Sequence, residues 1–123
     1  SPVTQSSGIF TFPSTGKWEV IFTARIANTG ADDQTNIVTK FTSDNSSYAS
    51  AAIVGEGSGA SSAGRGTGTS FLLLDITDTS LCKVKFEIAS SSSNSYIFGN
   101  TNPSDTTTGY AQTYAIFKKL GGT

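Results

Sequence analysis

Apolar and polar residues alternate with a period of two along much of the chain. Segment 18–26 reads WEVIFTARI, so its even-numbered residues are all apolar and its odd-numbered residues, apart from Ile21, are polar. Segment 82–88 (CKVKFEI) alternates in the same way. A strand with one buried face produces this pattern, and no segment has the 3.6-residue period of an amphipathic helix. The pattern therefore predicts an all-β protein.

The first two strands are predicted to pair as a hairpin. Residues 8–12 (GIFTF) form a short aromatic strand that precedes the strand beginning at Trp18. Between them, Pro13 fixes one backbone angle and Gly16 accepts a positive φ, which is the composition of a turn. Shorter strands are predicted at 37–42, 48–54 and 96–98.

Two strands have apolar residues on both faces. Segment 69–76 (TSFLLLDI) is predicted to be buried on both sides, with Phe71 in the core. The last strand, 110–120, is apolar on both faces as well, so its second face needs a cover. We predict a subunit interface there, formed by Tyr110, Tyr114 and Ile116, with core packing as the alternative for the two tyrosines.

Two long polar segments are predicted to be loops. Residues 55–68 hold six Gly in fourteen positions, which predicts irregular structure, and residues 99–109 are rich in Asn, Asp and Thr. Loops longer than a turn requires often carry function, although 55–68 can also be a slack crossover. The predicted ligand-binding residues are Ser58, Ser61, Ser62, Arg65, Tyr96, Asn100, Asn102 and Asp105.

Composition narrows the function classes. Ser and Thr account for 37 of the 123 residues, and 8 basic and 9 acidic residues give a net charge of -1. This balance lacks the basic footprint of a nucleic-acid-binding protein. The absence of His removes the commonest general base and every Ser-His or Cys-His nucleophile. We therefore predict a protein that is not an enzyme, holds no cofactor and binds no nucleic acid.

The carboxylates and the single cysteine have simple structural interpretations. The pairs Asp32/Asp33 and Asp75/Asp78 could supply oxygen ligands for calcium, but Asp is also favoured in turns because it accepts backbone N–H hydrogen bonds. We predict no metal site, and no carboxylate spacing indicates a glycosidase. Cys82 is predicted to be a small buried side chain. No apolar run approaches the ~20 residues needed to span a bilayer, so no membrane insertion is predicted.

Three segments together resemble a known superfamily. They are GIFTFPSTGKWEV at 8–20, GTSFLLL at 68–74 and the aromatic last strand at 110–120. In this order they resemble the complement globular-head and tumour-necrosis-factor superfamily of jelly rolls. The resemblance spans about residues 8–118 and implies an antiparallel jelly-roll β-sandwich, with residues 1–123 as a single domain. We also expect this domain to be a piece of a longer chain, because the first strand pattern starts within a few residues of the beginning. The resemblance also implies a homotrimer whose protomers meet through aromatic and apolar residues.

Similar heads occur on bacteriophage tail fibres and other virion surfaces. The resemblance therefore implies a non-enzymatic trimeric binding head at a virion surface, with a cell-surface glycan or receptor as its ligand. The alternative is a structural trimerisation or capsid-decoration module that contacts only neighbouring virion proteins. A carboxylate-based glycosidase is the third and weakest hypothesis.

Overall fold

The chain is all-β, and its strands pair in antiparallel register. The computed structural model describes residues 1–28, 33–58, 64–90, 95–98 and 113–122, with only the backbone at several strand ends. These residues contain no helix. The strands are β1 (Thr4–Ser6), β2 (Ile9–Thr11), β3 (Gly16–Asn28), β4 (Asp33–Thr42), β5 (Ala49–Ser58), β6 (Gly64–Ile76), β7 (Lys83–Ser90), β8 (Ser95–Phe98) and β9 (Tyr114–Gly121).

The strands form two sheets that face each other. The larger sheet has the order β1-β2-β7-β4-β5, and the smaller has the order β6-β3-β8, with β9 also paired to β3. β6 pairs with the whole length of β3. β9 pairs with β3 over 17–23 and β8 pairs with it over 25–28, so these two strands lie end to end along its other side. Two facing antiparallel sheets are the arrangement of a β-sandwich.

The predicted alternation determines which side chains enter the core. The even-numbered residues of β3 from Trp18 to Ile26 are all buried, as predicted. On the facing sheet, Cys82 and Val84 are buried, and Phe86 and Ile88 pack against the core from partly buried positions. The prediction that Cys82 is a small buried side chain is therefore confirmed.

Aromatic rings connect the two sheets across the core. Phe22 of β3 stacks on Phe86 of β7, with ring centroids 4.3 Å apart and planes 19° from parallel. Phe10 of β2 stacks on Phe117 of β9 at 5.1 Å. Because each pair joins one sheet to the other, these contacts fix how the sheets face each other.

The predicted hairpin between the first two strands is wrong. β2 pairs with β1 and β7 in the larger sheet, whereas β3 lies in the smaller sheet. The intervening residues carry the chain from one sheet to the other, and the Trp18 indole donates a hydrogen bond to the Ser14 carbonyl at 3.2 Å. Phe12 and Trp18 then meet at 5.3 Å in the core. Phe12 directly follows β2 and Trp18 lies in β3, so this contact links the two sheets across the core.

The Gly-rich segment 55–68 is also more regular than predicted. Residues 55–58 continue β5 and pair with β4, and residues 64–68 begin β6 and pair with β3. The partner strands β4 and β3 supply the backbone hydrogen bonds. Pairing with them outweighs the weak strand propensity of Gly and Ser. Ser58 and Arg65 therefore lie on strands, and their assignment to a loop is wrong.

The prediction that segment 69–76 is buried on both sides is wrong as well. Leu72 and Leu74 pack against the core, but Phe71 and Leu73 are 66% and 70% exposed. The larger sheet covers only one face of β6. The residues that point the other way have no cover within the described chain, so Phe71 is not a core residue.

Candidate functional site

Several large apolar side chains are exposed on the outer face, which we define as the side of the β6-β3-β9 sheet turned away from the core. One row crosses it: Phe71 of β6 is in register with Ile21 of β3, and Ile21 is in register with Ile116 of β9. Phe71 is 66% exposed and Ile116 is 46% exposed. The row is thus an apolar band across three strands that water contacts in the single chain.

Polar side chains border this row on one side. Thr69, Thr23 and Tyr114 occupy the next row, and the Thr23 and Thr69 hydroxyls form a hydrogen bond of 3.0 Å with each other. Tyr114 is 43% exposed. Thr23 is itself buried at 7% exposure, so the face at this level presents the Tyr114 ring beside the partly exposed Thr69.

Charged residues border the apolar row on the other side. Glu19 and Lys118 are in register with each other, and Leu73 lies opposite Glu19 on β6. One step further along, Lys17 is in register with Asp75. Asp75 and Lys118 are exposed, and neither forms an ion pair with any residue that the structure describes. The face therefore carries a negative charge at its β6 border and a positive charge at its β9 border.

A shallow apolar groove of about 250 Å³ lies at this charged end of the face. Its volume is below the roughly 300 to 1,000 Å³ of small-molecule pockets. The groove is continuous with the outer face through Leu73, and we treat it as the concave part of that surface. It is lined by Lys17, Trp18, Leu73, Leu74, Asp75 and Leu120.

Two of the three predicted interface residues lie in the part of the chain that the structure describes. Tyr114 and Ile116 lie on the outer face, while Tyr110 lies outside the described residues. Phe71 and Leu73 were not predicted here, because the apolar pattern on both faces of their strand indicates an interior strand. The signal that identifies the face is the apolar Ile21 at a polar position, in register with Phe71 and Ile116.

The predicted ligand-binding residues do not form a described site. Ser58 and Arg65 lie on β5 and β6, and Tyr96 lies on β8 in register with Ala27, but only their backbones are described. The others lie outside the described residues: Ser61, Ser62, Asn100, Asn102 and Asp105.

Among the carboxylates considered as calcium ligands, Asp78 behaves as a turn residue. Asp78 accepts hydrogen bonds from the Ser80 hydroxyl at 2.6 Å and the Ser80 N–H at 2.7 Å, and these bonds lower the pKa of Asp78. Asp75 lies on the outer face, Asp33 on β4, and Asp32 outside the described residues. No group of three or more metal-ligating side chains occurs among the described residues.

The outer side of the larger sheet carries a compensated charge cluster. Glu87 accepts from Lys40 at 2.7 Å and from Lys85 at 2.8 Å, and these two lysines lower the pKa of Glu87. The Lys85 ammonium also lies 4.6 Å from the centre of the Tyr48 ring. Both lysines already have these partners. This surface therefore has fewer charged side chains available to a binding partner than the outer face of the smaller sheet.

Comparisons with known proteins leave the outer face as the main guide to function. The search against protein-family models, curated proteins and solved structures gives no match. Within the described part of the chain, no helix has the length and apolar character needed to cross a membrane. We therefore infer function from the geometry of the outer face.

Proposed function

We propose that this chain is a non-enzymatic assembly module that forms a homotrimer through the outer face of its smaller sheet. The observation that carries the proposal is the exposed row formed by Phe71, Ile21 and Ile116, with Leu73 and Tyr114 beside it. Contiguous exposed apolar surface on a soluble domain marks an interaction site more often than scattered apolar residues do. The trimeric state itself rests on the resemblance to the complement globular-head and tumour-necrosis-factor superfamily.

Burial of this face provides the driving force for assembly. Fully burying one Phe, Leu or Ile side chain stabilises a protein by roughly 1.5 to 3 kcal/mol. Phe71, Leu73 and Ile116 are about half to two-thirds exposed, so each gains roughly half of that when a partner covers it. The face contains both acidic and basic residues, so its burial does not accumulate charge of one sign.

The order of strand pairing supports a jelly-roll fold for this module. β2 pairs with β7, β3 with β6, and β4 with β5. These pairs are nested, as they are when one long hairpin is wrapped so that successive pairs alternate between two sheets. β8 and β9 together take the position beside β3 that the eighth strand of a jelly roll occupies. β1 extends the edge of the larger sheet beside β2.

The host-binding and structural hypotheses share this assembly and differ in the role of the loops. The proposed position on a virion surface, and a cell-surface glycan or receptor as ligand, rest on the resemblance and on the hydroxyl-rich composition. Residues 55–58 and 64–68 are strand, so of the first predicted binding loop only 59–63 lies outside the described strands. This observation favours the structural trimerisation or capsid-decoration module, and leaves 99–109 as the main segment for a ligand.

The experiment compares two equivalent substitutions on opposite sides of the molecule. Phe71→Glu places a charge in the apolar row of the proposed interface. Ile53→Glu is the matched control, because Ile53 is 61% exposed on the outer side of the larger sheet. We expect Phe71→Glu to reduce the mass in light scattering to that of one chain, while Ile53→Glu remains trimeric.

Circular dichroism of both variants verifies that the β-fold is intact. If the folded Phe71→Glu variant retains the mass of the parent oligomer, the outer face is not the assembly surface and the proposal is wrong.

A further inference from the structure

We propose that neighbouring copies meet head to tail, with the β6 border of one outer face against the β9 border of the next. This inference rests on the proposed function, and it names the parts of the face that join two copies. Two residues define the borders: Asp75 on β6 and Lys118 on β9. Both are exposed, and neither has an ion-pair partner among the described residues.

The borders carry opposite charges because of the strand register. Asp75 projects from the outer face of β6, in register with Lys17 of the central strand. Lys118 projects from the outer face of β9, in register with Glu19 of the same central strand. Beside these two residues, β3 holds one charge of each sign, Lys17 and Glu19, while Arg25 lies further along the strand. A second copy that approaches the β6 border therefore meets a negative edge, and one that approaches the β9 border meets a positive edge.

Electrostatic complementarity selects between the possible contacts. Two β6 borders in contact bring Asp75 against its own copy, and two β9 borders bring Lys118 against its own copy; both arrangements juxtapose like charges. Contact between unlike borders pairs Asp75 with Lys118 beside the apolar row. A contact between two different patches is heterologous, and heterologous contacts close into a ring when the rotation between copies permits. A cyclic trimer is built from such contacts.

Charge reversal tests this geometry. We expect Asp75→Lys and Lys118→Glu, each alone, to raise the concentration at which half of the chains are assembled by about tenfold or more. The double variant Asp75→Lys with Lys118→Glu restores opposite charges in swapped positions between copies. Within each chain it places Lys opposite Lys17 and Glu opposite Glu19, so circular dichroism and urea unfolding of all variants verify that the fold is intact before assembly is compared. We expect its midpoint concentration, measured by sedimentation in low salt, to return to within about threefold of the parent value.

The result separates the inference from the proposed function. If the double variant assembles as poorly as the weaker single variant, or if neither single variant is impaired, the head-to-tail contact is wrong. Assembly through the outer face stands in that case if Phe71→Glu still dissociates the oligomer. If the parent protein is monomeric, the proposed function fails, and the inference fails with it.

Discussion

Two buried hydroxyl groups join the sheets at the centre of the core. The Thr39 hydroxyl of β4 and the Ser70 hydroxyl of β6 are 3.0 Å apart, and both residues are almost fully buried. A hydroxyl that loses its partner in such a place has no water to replace it. The pair therefore stabilises the stacking of the sheets only while both of its members are present.

We expect Thr39→Val and Ser70→Ala each to lower the free energy of unfolding by about 1 to 3 kcal/mol, because each leaves one buried hydroxyl without a partner. The double variant removes both hydroxyls, so we expect it to lose less than the sum of the single losses by about 1 kcal/mol. Urea denaturation of the four proteins measures this coupling. Strictly additive losses would show that the hydrogen bond contributes nothing.

At the scale of elements, the turn between β4 and β5 is organised by one carboxylate. Asp44 accepts hydrogen bonds from the N–H groups of Ser46 at 2.8 Å and Ser47 at 2.7 Å, and from the Thr42 hydroxyl at 2.8 Å. These donors favour the charged carboxylate, so they hold the pKa of Asp44 far below its ordinary value of 3.8. The turn is consequently more stable when Asp44 is ionised.

The depressed pKa of Asp44 predicts an acid dependence. Because the folded-state pKa is below the unfolded-state value, the stabilisation is complete above about pH 4 and is lost progressively as the pH falls toward the folded pKa. Asn keeps an acceptor oxygen but does not titrate. We expect Asp44→Asn to be less stable than the parent at pH 7, and its stability to fall less steeply between pH 4 and pH 2. Denaturant unfolding across this range measures both slopes, and equal slopes would refute the assignment.

The strands themselves could be predicted from the sequence, but their partners could not. Alternation from Trp18 to Ile26 identifies a strand and its buried face, because the side-chain period is a local property. Whether that strand pairs with the one before it depends on where distant aromatic rings are buried. The hairpin prediction failed for this reason: Phe12, which follows β2 of the larger sheet, and Trp18, in β3 of the smaller sheet, contact each other across the core.

The Gly-rich strand ends illustrate the same limit. Gly66 and Gly68 have no side chain whose alternation could indicate a strand, yet they are in register with Ile26 and Ala24 of β3. The strand β3 pairs with this segment even though the segment has no alternating pattern of its own. Prediction from the weaker strand alone therefore assigned these residues to a loop.

At the scale of the whole molecule, the candidate site could be predicted only in part. The two-sided apolar pattern of the last strand indicated that the face with Tyr114 and Ile116 needs a cover, and both residues are exposed in the single chain; a subunit as that cover stays a prediction. The same pattern around Phe71 was taken as burial on both sides, because a sequence does not show whether a second layer covers a sheet. In the folded chain, Phe71, Tyr114 and Ile116 lie on one exposed face. The exposure of Phe71, which the sequence pattern did not predict, is therefore part of the main indication of function.

The measurement that tests assembly most directly is the mass of the parent protein in solution. Sedimentation equilibrium at micromolar concentration, near neutral pH, gives this mass without any assumption about shape. The account predicts a species of three times the 12.7 kDa chain mass, which dissociates on dilution. A single species of 12.7 kDa throughout the concentration range would contradict it, since the outer face would then remain in contact with water.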